Sequence, residues 1–269
     1  MSSLEKSLAI LGLLRTERAV LRVGEVCREL SMPKSSVSRL LGRMCAAGLV
    51  ERDGREPGYL IGPRVLQLAQ LYMARHSLAA LMEAALDRLI ATFGFTGYLS
   101  ALSGAEIVLL RVRQGSYPLR YVRETGSRLP AAQTAMGLAL LARLTDEEVR
   151  KRLDQAGASA QRSTDLARLP SRLAAARRRG IVVAPSVLMS GISTISAAVL
   201  DEAADNLVAM GLAYPTKAVD RFLRRRIEDG VLEQAGAIGR EVKDPFWAEI
   251  KLRDITPTSR TARVRSACA

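Results

Sequence analysis

The chain has 269 residues, too many for one small domain and enough for two of ordinary size. Hydrophobic residues make up 48% of it, enough to build real cores, which excludes a globally disordered chain. A net charge of +13 favours a polyanionic partner, while an aromatic fraction of only 4% argues against the base-stacking platforms of single-strand and RNA binders.

Ser2 or Ser3 caps a first helix that carries Leu4, Leu8 and Leu11 on one face. Residues 16–22 connect it to a short helix at 25–30, with Val26 and Leu30 four apart. Ser31-Met32-Pro33 interrupts that helix. Proline costs nothing in a first turn, so Pro33 starts the next one. There Val37, Leu40, Leu41 and Met44 recur as one buried stripe. Ser35 and Arg39 lie opposite it, and Ser36, Ser38 and Arg43 lie on the flanks. Gly48 closes the helix. Residues 49–52 and 58–61 then read as two strands joined by a turn-rich tip carrying Arg55.

Three helices and a hairpin, in that order, are the plan of a winged helix-turn-helix. A helix that shows only small polar and cationic groups on its free face suits a DNA major groove. The candidate DNA contacts are Lys34, Ser35, Ser36, Ser38, Arg39 and Arg43, with Arg55 at the wing tip. A helical hairpin with a solvated polar face has the same local pattern; the full order of elements inside a basic chain favours DNA.

A long helical region follows Gly62-Pro63. Its first stripe is Val65, Leu68, Ala69 and Tyr72, suited to pairing with a second subunit. A cleaner second stripe holds Leu78, Leu81, Met82, Ala85, Leu86 and Leu89. The break falls near His76-Ser77, where Ser77 can cap a new helix. Strands are expected at 97–102, 106–112 and 119–122, then helices at 134–144, 146–153 and 166–179. Strands at 181–183, 192–199 and 206–213 complete a sheet, and a helix at 219–243 ends it. From Pro245 the periodicity is lost, and 256–269 reads as a disordered basic tail. The class is α+β. The expected division is a winged helix-turn-helix over 1–62, a linker helix region over 63–92, an effector domain over 93–244 and the tail over 245–269.

Cys27, Cys45 and Cys268 have no zinc spacing, and the lone His76 completes no ligand set, so no metal or cofactor is expected. Cys27 and Cys45 suit packing in the first domain, and three free cysteines suit a reducing cytoplasm. The N-terminus contains Glu5 and Lys6 and does not read as a signal peptide, and no apolar run is long enough to span a membrane. No Walker loop or GxSxG motif is present, so no catalytic residues are assigned and an enzyme is not expected.

Several motifs recur together: Leu30-Ser31-Met32-Pro33-Lys34-Ser35-Ser36-Val37 with Arg39-Leu40-Leu41, then Gly48-Leu49-Val50 and Tyr59-Leu60-Ile61-Gly62. Leu129-Pro130, Thr134-Ala135, Gly137, Leu140-Leu141-Ala142, Gly180, Gly191-Ile192 and Ala197-Ala198 follow. On these residues the chain resembles the IclR family of bacterial transcriptional regulators, from about Leu4 to Lys243. The resemblance implies a winged helix-turn-helix, a linker helix and a GAF-like α/β domain. It implies a double-stranded DNA operator and a small-molecule effector as partners, and a homodimer that is often paired into a dimer of dimers.

Family pockets lie between the sheet and the loop at 129–137. Carried onto this chain, the pocket comprises Ala132, Gln133, Thr134, Met136, Ser186, Thr194, Ser196, Gly211 and Ala213. Relatives often have histidine at the place of Ala132, lysine at Leu138, acids at 184–187, a cysteine at Thr194 and serines at Gly211 and Ala213. The effector implied is uncharged or largely apolar. The alternatives are a ligand-independent DNA-binding protein with a degenerate effector domain, and an enzyme with a DNA-binding appendage.

Overall fold

The computed structural model describes residues 2–14, 18–75, 77–117, 123–156, 166–186 and 189–250. It divides into two compact units, Met1–Arg75 and His76–Ala269.

In the first unit, α1 (Ser3–Leu11) starts in a capping box. The Ser2 hydroxyl accepts from the Glu5 N–H, and the Glu5 carboxylate accepts from the Ser2 N–H. Helix α2 (Val23–Leu30) ends at Ser31, whose left-handed backbone makes the turn into α3 (Lys34–Ala46). Gly48, at φ +71°, then releases the chain from α3, a conformation that suits glycine at a helix end. Strands β1 (Val50–Arg52) and β2 (Tyr59–Ile61) pair antiparallel as the wing, and Leu21 bridges to Tyr59. The core joins Ile10, Leu21, Val26, Val37, Leu40, Leu41, Met44, Val50 and Tyr59, with Cys27 and Cys45 packed at its edge.

The first helix differs from expectation. Its core anchor is Ile10, fully buried, whereas Leu4 is 68% and Leu8 57% exposed. The helix carries more apolar residues than one face can bury, and contact with α2 and α3 selects Ile10 and Leu11. Helix α4 (Pro63–Arg75) likewise leaves Leu66, Leu68, Leu71 and Tyr72 exposed.

The second unit opens with α5 (Ser77–Phe93), which begins where a break was expected; His76 itself lies outside the described residues. Then come β3 (Thr96–Ser103), β4 (Glu106–Arg113) and β5 (Arg128–Pro130). Next are α6 (Ala135–Leu141), α7 (Asp146–Gln155), α8 (Leu169–Arg179) and β6 (Val182–Pro185). Strands β7 (Ile192–Asp201) and β8 (Asn206–Pro215), α9 (Arg221–Glu241) and α10 (Pro245–Glu249) complete it. The six strands form one antiparallel sheet in the order β5-β4-β3-β8-β7-β6. Helices α5 and α9 pack on one face and α6 on the other. The fold is α+β. The strand expected at 119–122 lies outside the described residues.

The segment expected to be tail from Pro245 begins as structure instead. Trp247 is 2% exposed, and its indole N–H donates to the Ala198 carbonyl at 3.0 Å. The wholly buried Asp244 carboxylate accepts from the Leu200 and Phe246 N–H groups at 2.9 and 3.1 Å and pairs with Arg143. The Arg143 guanidinium lies 3.9 Å over the Phe246 ring. Burial pulls Arg143 below its ordinary pKa, and Asp244 pulls it back up. A Cβ at Gly239 would stand 2.4 Å from the Trp247 ring, so α9 needs glycine there. A five-residue helix is too short to show a period, which is why it was not legible. The proposed tail at 256–269 lies outside the described residues.

Breaking a buried ion pair strands the remaining charge, so Asp244→Ala is expected to cost about 3–5 kcal/mol. Urea unfolding of the full chain measures this, and a loss under about 1 kcal/mol would contradict the role given to the pair.

Candidate nucleic-acid interface and ligand cavity

In α3, burial of Val37, Leu40, Leu41 and Met44 fixes the helix's rotation about its own axis. Lys34, Ser35, Ser38, Arg39 and Arg43 are consequently exposed in one continuous stripe, with Ser36 half-buried at its edge. Gly42 lies on that stripe, with open space where a Cβ would stand. The helix contains no acid, so nothing on it repels phosphate. Arg55 is exposed at the wing tip, and its backbone N–H donates to Asp53 Oδ1 at 2.8 Å. The seven residues expected to meet DNA thus share exposed positions on α3 and the wing, apart from the half-buried Ser36.

The second unit contains a cavity of ≈ 90 Å³ between the sheet and the start of α6. Strand alternation selects its floor. Tyr98, Leu109, Thr194 and Ala213 point to the α6 side, while Leu99, Ile195 and Leu212 between them point to the other. Thr134, Ala135 and Met136 form one wall; Pro185, Ser186, Met189 and Ile192 form the opposite one. Of the expected pocket residues, Thr134, Met136, Ser186, Thr194 and Ala213 line it. Ala132, Gln133, Ser196 and Gly211 do not. Ala132 is packed in the core, and Ser196 is buried with its hydroxyl donating to the Met210 carbonyl at 2.8 Å. Gly211 stands behind Met136 and Thr194, since a Cβ there would meet both at 3.1 Å.

The lining also includes residues that no motif marked, above all Tyr98 and Arg123. Arg123 is the one charged residue of the lining among the described residues. Tyr98 is hydrogen-bonded to the Arg123 backbone, and burial raises its phenol pKa above the ordinary value, so it remains a neutral hydroxyl. Tyr98 falls in the strand expected at 97–102, but a strand buried on both sides gives no alternation to show which way it faces. Arg123 was not legible, because it lies outside every expected element, just beyond the strand expected at 119–122, where no motif marks it. Among the described residues, no three His, Cys, Asp or Glu side chains gather as a metal site, and no helix is long and apolar enough to cross a membrane.

Two family models match the chain. The IclR helix-turn-helix domain covers residues 3–54, and the bacterial transcriptional regulator IclR C-terminal domain covers 70–242. The chain belongs to the IclR family of bacterial transcriptional regulators. It is a DNA-binding regulator of that family by the match of both domains. It is 28% identical over 226 residues to the HTH-type transcriptional repressor AllR of Salmonella paratyphi A, covering 82% of this chain and 83% of that one. The Escherichia coli K12 repressor of the same name is 27% identical over the same length and coverage. An IclR homolog of Microbacterium hydrocarbonoxydans, solved in complex with 4-hydroxybenzoate, shares the fold at TM-score 0.75 and 21% identity, over 90% of this chain and 99% of that one. The Thermotoga maritima IclR shares it at TM-score 0.67 and 19% identity, over 89% and 98%.

Arg39 stands in the middle of the exposed stripe of α3. Arg39→Ala is expected to weaken binding to a cognate operator by about 1–3 kcal/mol and to spare random duplex. Fluorescence anisotropy on both duplexes decides it; equal losses on the two would reduce Arg39 to a backbone contact.

Proposed function

We propose that this regulator is a cytoplasmic, non-enzymatic, operator-binding repressor that senses a small effector carrying one anionic group on a largely apolar body. The observation that carries the effector reading is the presence of Arg123 and Tyr98, with Thr134, Ser186 and Thr194, in a lining otherwise apolar, including Leu109, Leu129, Met136, Met189, Ile192 and Ala213. Apolar contact holds such a ligand, and a few polar groups orient it. A guanidinium in a partly buried site offsets the desolvation of one carboxylate. The largely apolar body expected from the sequence is retained, and Arg123 in the lining replaces the uncharged alternative with one anionic end. The solved homolog that holds 4-hydroxybenzoate supports a ligand of this shape, and the AllR likeness supports repression.

The cavity, at ≈ 90 Å³, is smaller than the roughly 150 Å³ engineered cavity that admits benzene. An aromatic ring therefore enters only as the unbranched side chains of Met136 and Met189 move aside. The expected test is thermal unfolding with 4-hydroxybenzoate against its neutral amide. The acid stabilises the chain, by about 2.7 kcal/mol at a hundred times its dissociation constant. Arg123→Met removes that shift while the unliganded chain unfolds as before. Equal shifts from acid and amide would sink the anionic reading, and a shift without change in operator affinity would sink the regulatory one.

The exposed leucines of α1 and α4 support a homodimer built through the first unit, since a soluble monomer rarely leaves such faces uncovered. Leu68→Lys with Leu71→Lys is expected to yield monomers in analytical ultracentrifugation and to weaken operator binding. An unchanged dimer would place the interface elsewhere.

A further inference from the structure

In the second unit, strand β4 changes face part-way along its length. Ile107, Leu109 and Val112 pack on the α6 side, a spacing that simple alternation does not allow. The ladder explains it. Ser100 stands opposite Leu109 and Leu99 opposite Arg111, so Leu110 is one residue more than β3 can pair. Such a bulge re-aims the side chains that follow it. Without the extra residue Arg111 would share the face of Leu109. With it, Arg111 and Arg113 turn to α5, where both bind the Glu83 carboxylate, Arg111 Nε at 3.3 Å and Arg113 Nη2 at 2.7 Å.

Arg111 does more than pair with an acid. Its Nη1 donates to the carbonyl of Leu110, the bulged residue, at 2.9 Å. One planar guanidinium thus ties the bulge to α5 in a fork of fixed geometry. The other side of the bulge is tied to the cavity. Leu109 lines it, and its backbone is bonded to the segment that follows Arg123: the Gly126 N–H donates to the Leu109 carbonyl at 2.7 Å, and the Leu109 N–H to the Ser127 carbonyl at 3.0 Å. Covalent and hydrogen bonds therefore run without a break from Arg123 through Leu109, Leu110 and Arg111 to Glu83. On β3 the step is as short. Tyr98 lines the cavity, and a Cβ at its neighbour Gly97 would stand 2.7 Å from Ile90 and 2.8 Å from Leu86 of α5.

We propose that Arg111 is a positioning residue that passes the state of the cavity to α5 through the Leu110 bulge. The inference rests on the cavity holding the effector. A ligand that draws on Arg123 and presses on Leu109 turns the Leu110 peptide, because a residue without a ladder partner is the least constrained point of its strand. The Leu110 carbonyl carries the Arg111 fork with it, and the fork carries Glu83. Helix α5 follows α4 in the chain after one residue, His76, so a shift of α5 acts on the segment that leads from the first unit. Arg113 pairs with Glu83 and Asp87 beyond the bulge and braces the helix without relaying anything.

The test measures the full chain's affinity for an operator duplex with and without saturating 4-hydroxybenzoate, and its affinity for that acid without DNA. An effector coupled to DNA in the ordinary range changes operator affinity by about 5–150-fold. Arg111→Gln is expected to bring that change to within about twofold of none, while affinity for the acid stays within about twofold of the wild type. An arginine with only a structural role would lower both or neither. Arg113→Gln is expected to retain most of the change. Arg111→Lys, which keeps a cation between the carbonyl and the carboxylate, should recover part of what glutamine loses. Glu83→Gln cuts the same link from the helix side and gives the same reading should Arg111→Gln not fold. A full response in Arg111→Gln, equal losses in Arg111→Gln and Arg113→Gln, or no recovery in Arg111→Lys overturns the proposal. A wild-type operator affinity that the acid leaves unchanged sinks the effector reading instead, and the relay with it.

Discussion

The burial of one side of each element determines what the other side can do. In α3 the constraint is plain. Val37, Leu40, Leu41 and Met44 must face Ile10, Leu21 and Val26, and that single requirement sets the rotation of the helix. Lys34, Ser35, Ser38, Arg39 and Arg43 are exposed as a consequence. The exposed polar stripe is the complement of the core and needs no separate device to form it.

The sheet of the second unit obeys the same constraint with a period of two. Tyr98 on β3 stands opposite Gly211 on β8, which in turn stands opposite Ser196 on β7. Thr194 stands opposite Ala213 one row along. Small residues at Gly211 and Ala213 leave room above the sheet that larger ones would fill. Met136 closes over that room from α6, and the Ser100 hydroxyl reaches its sulfur at 3.6 Å. A cavity survives because the volumes on this face do not add up to close packing, whereas Leu99, Ile195, Met210 and Leu212 on the other face are fully buried.

Charge is divided between two roles. Arg143 is buried, desolvated and committed to Asp244, where it holds the chain's last described helix against the sheet. The arginines of the first unit are solvated and fall into two sets. Arg18 and Arg22 tie elements together, while Arg28, Arg39, Arg43 and Arg52 have no carboxylate partner among the described residues. A surplus of cations can therefore be structural in one place and available to a polyanion in another. Only the partners distinguish them.

What the sequence by itself determined is whatever local periodicity encodes. The stripe of α3, the glycine that ends it, the wing turn and the existence of strands β3, β7 and β8 were all legible, because each depends on residues within a few positions of one another. Thr134, at the start of α6, and Thr194 and Ala213, on the sheet, came from the family resemblance and not from periodicity. What only the tertiary structure decided depends on contacts distant in the chain. Helix α1 has two apolar faces, and the packing of α2 and α3 chose Ile10 over Leu4 and Leu8. Arg123 lines the cavity although no motif in the sequence marks it, because its companions in the lining come from β3, β4, β7, β8 and α6. Trp247 and Asp244 belong to the core although the sequence around them reads as a tail, since their partners Ala198, Leu200 and Arg143 are some fifty to a hundred residues away. Periodicity records which side of an element is buried; it contains no information about which distant element does the burying.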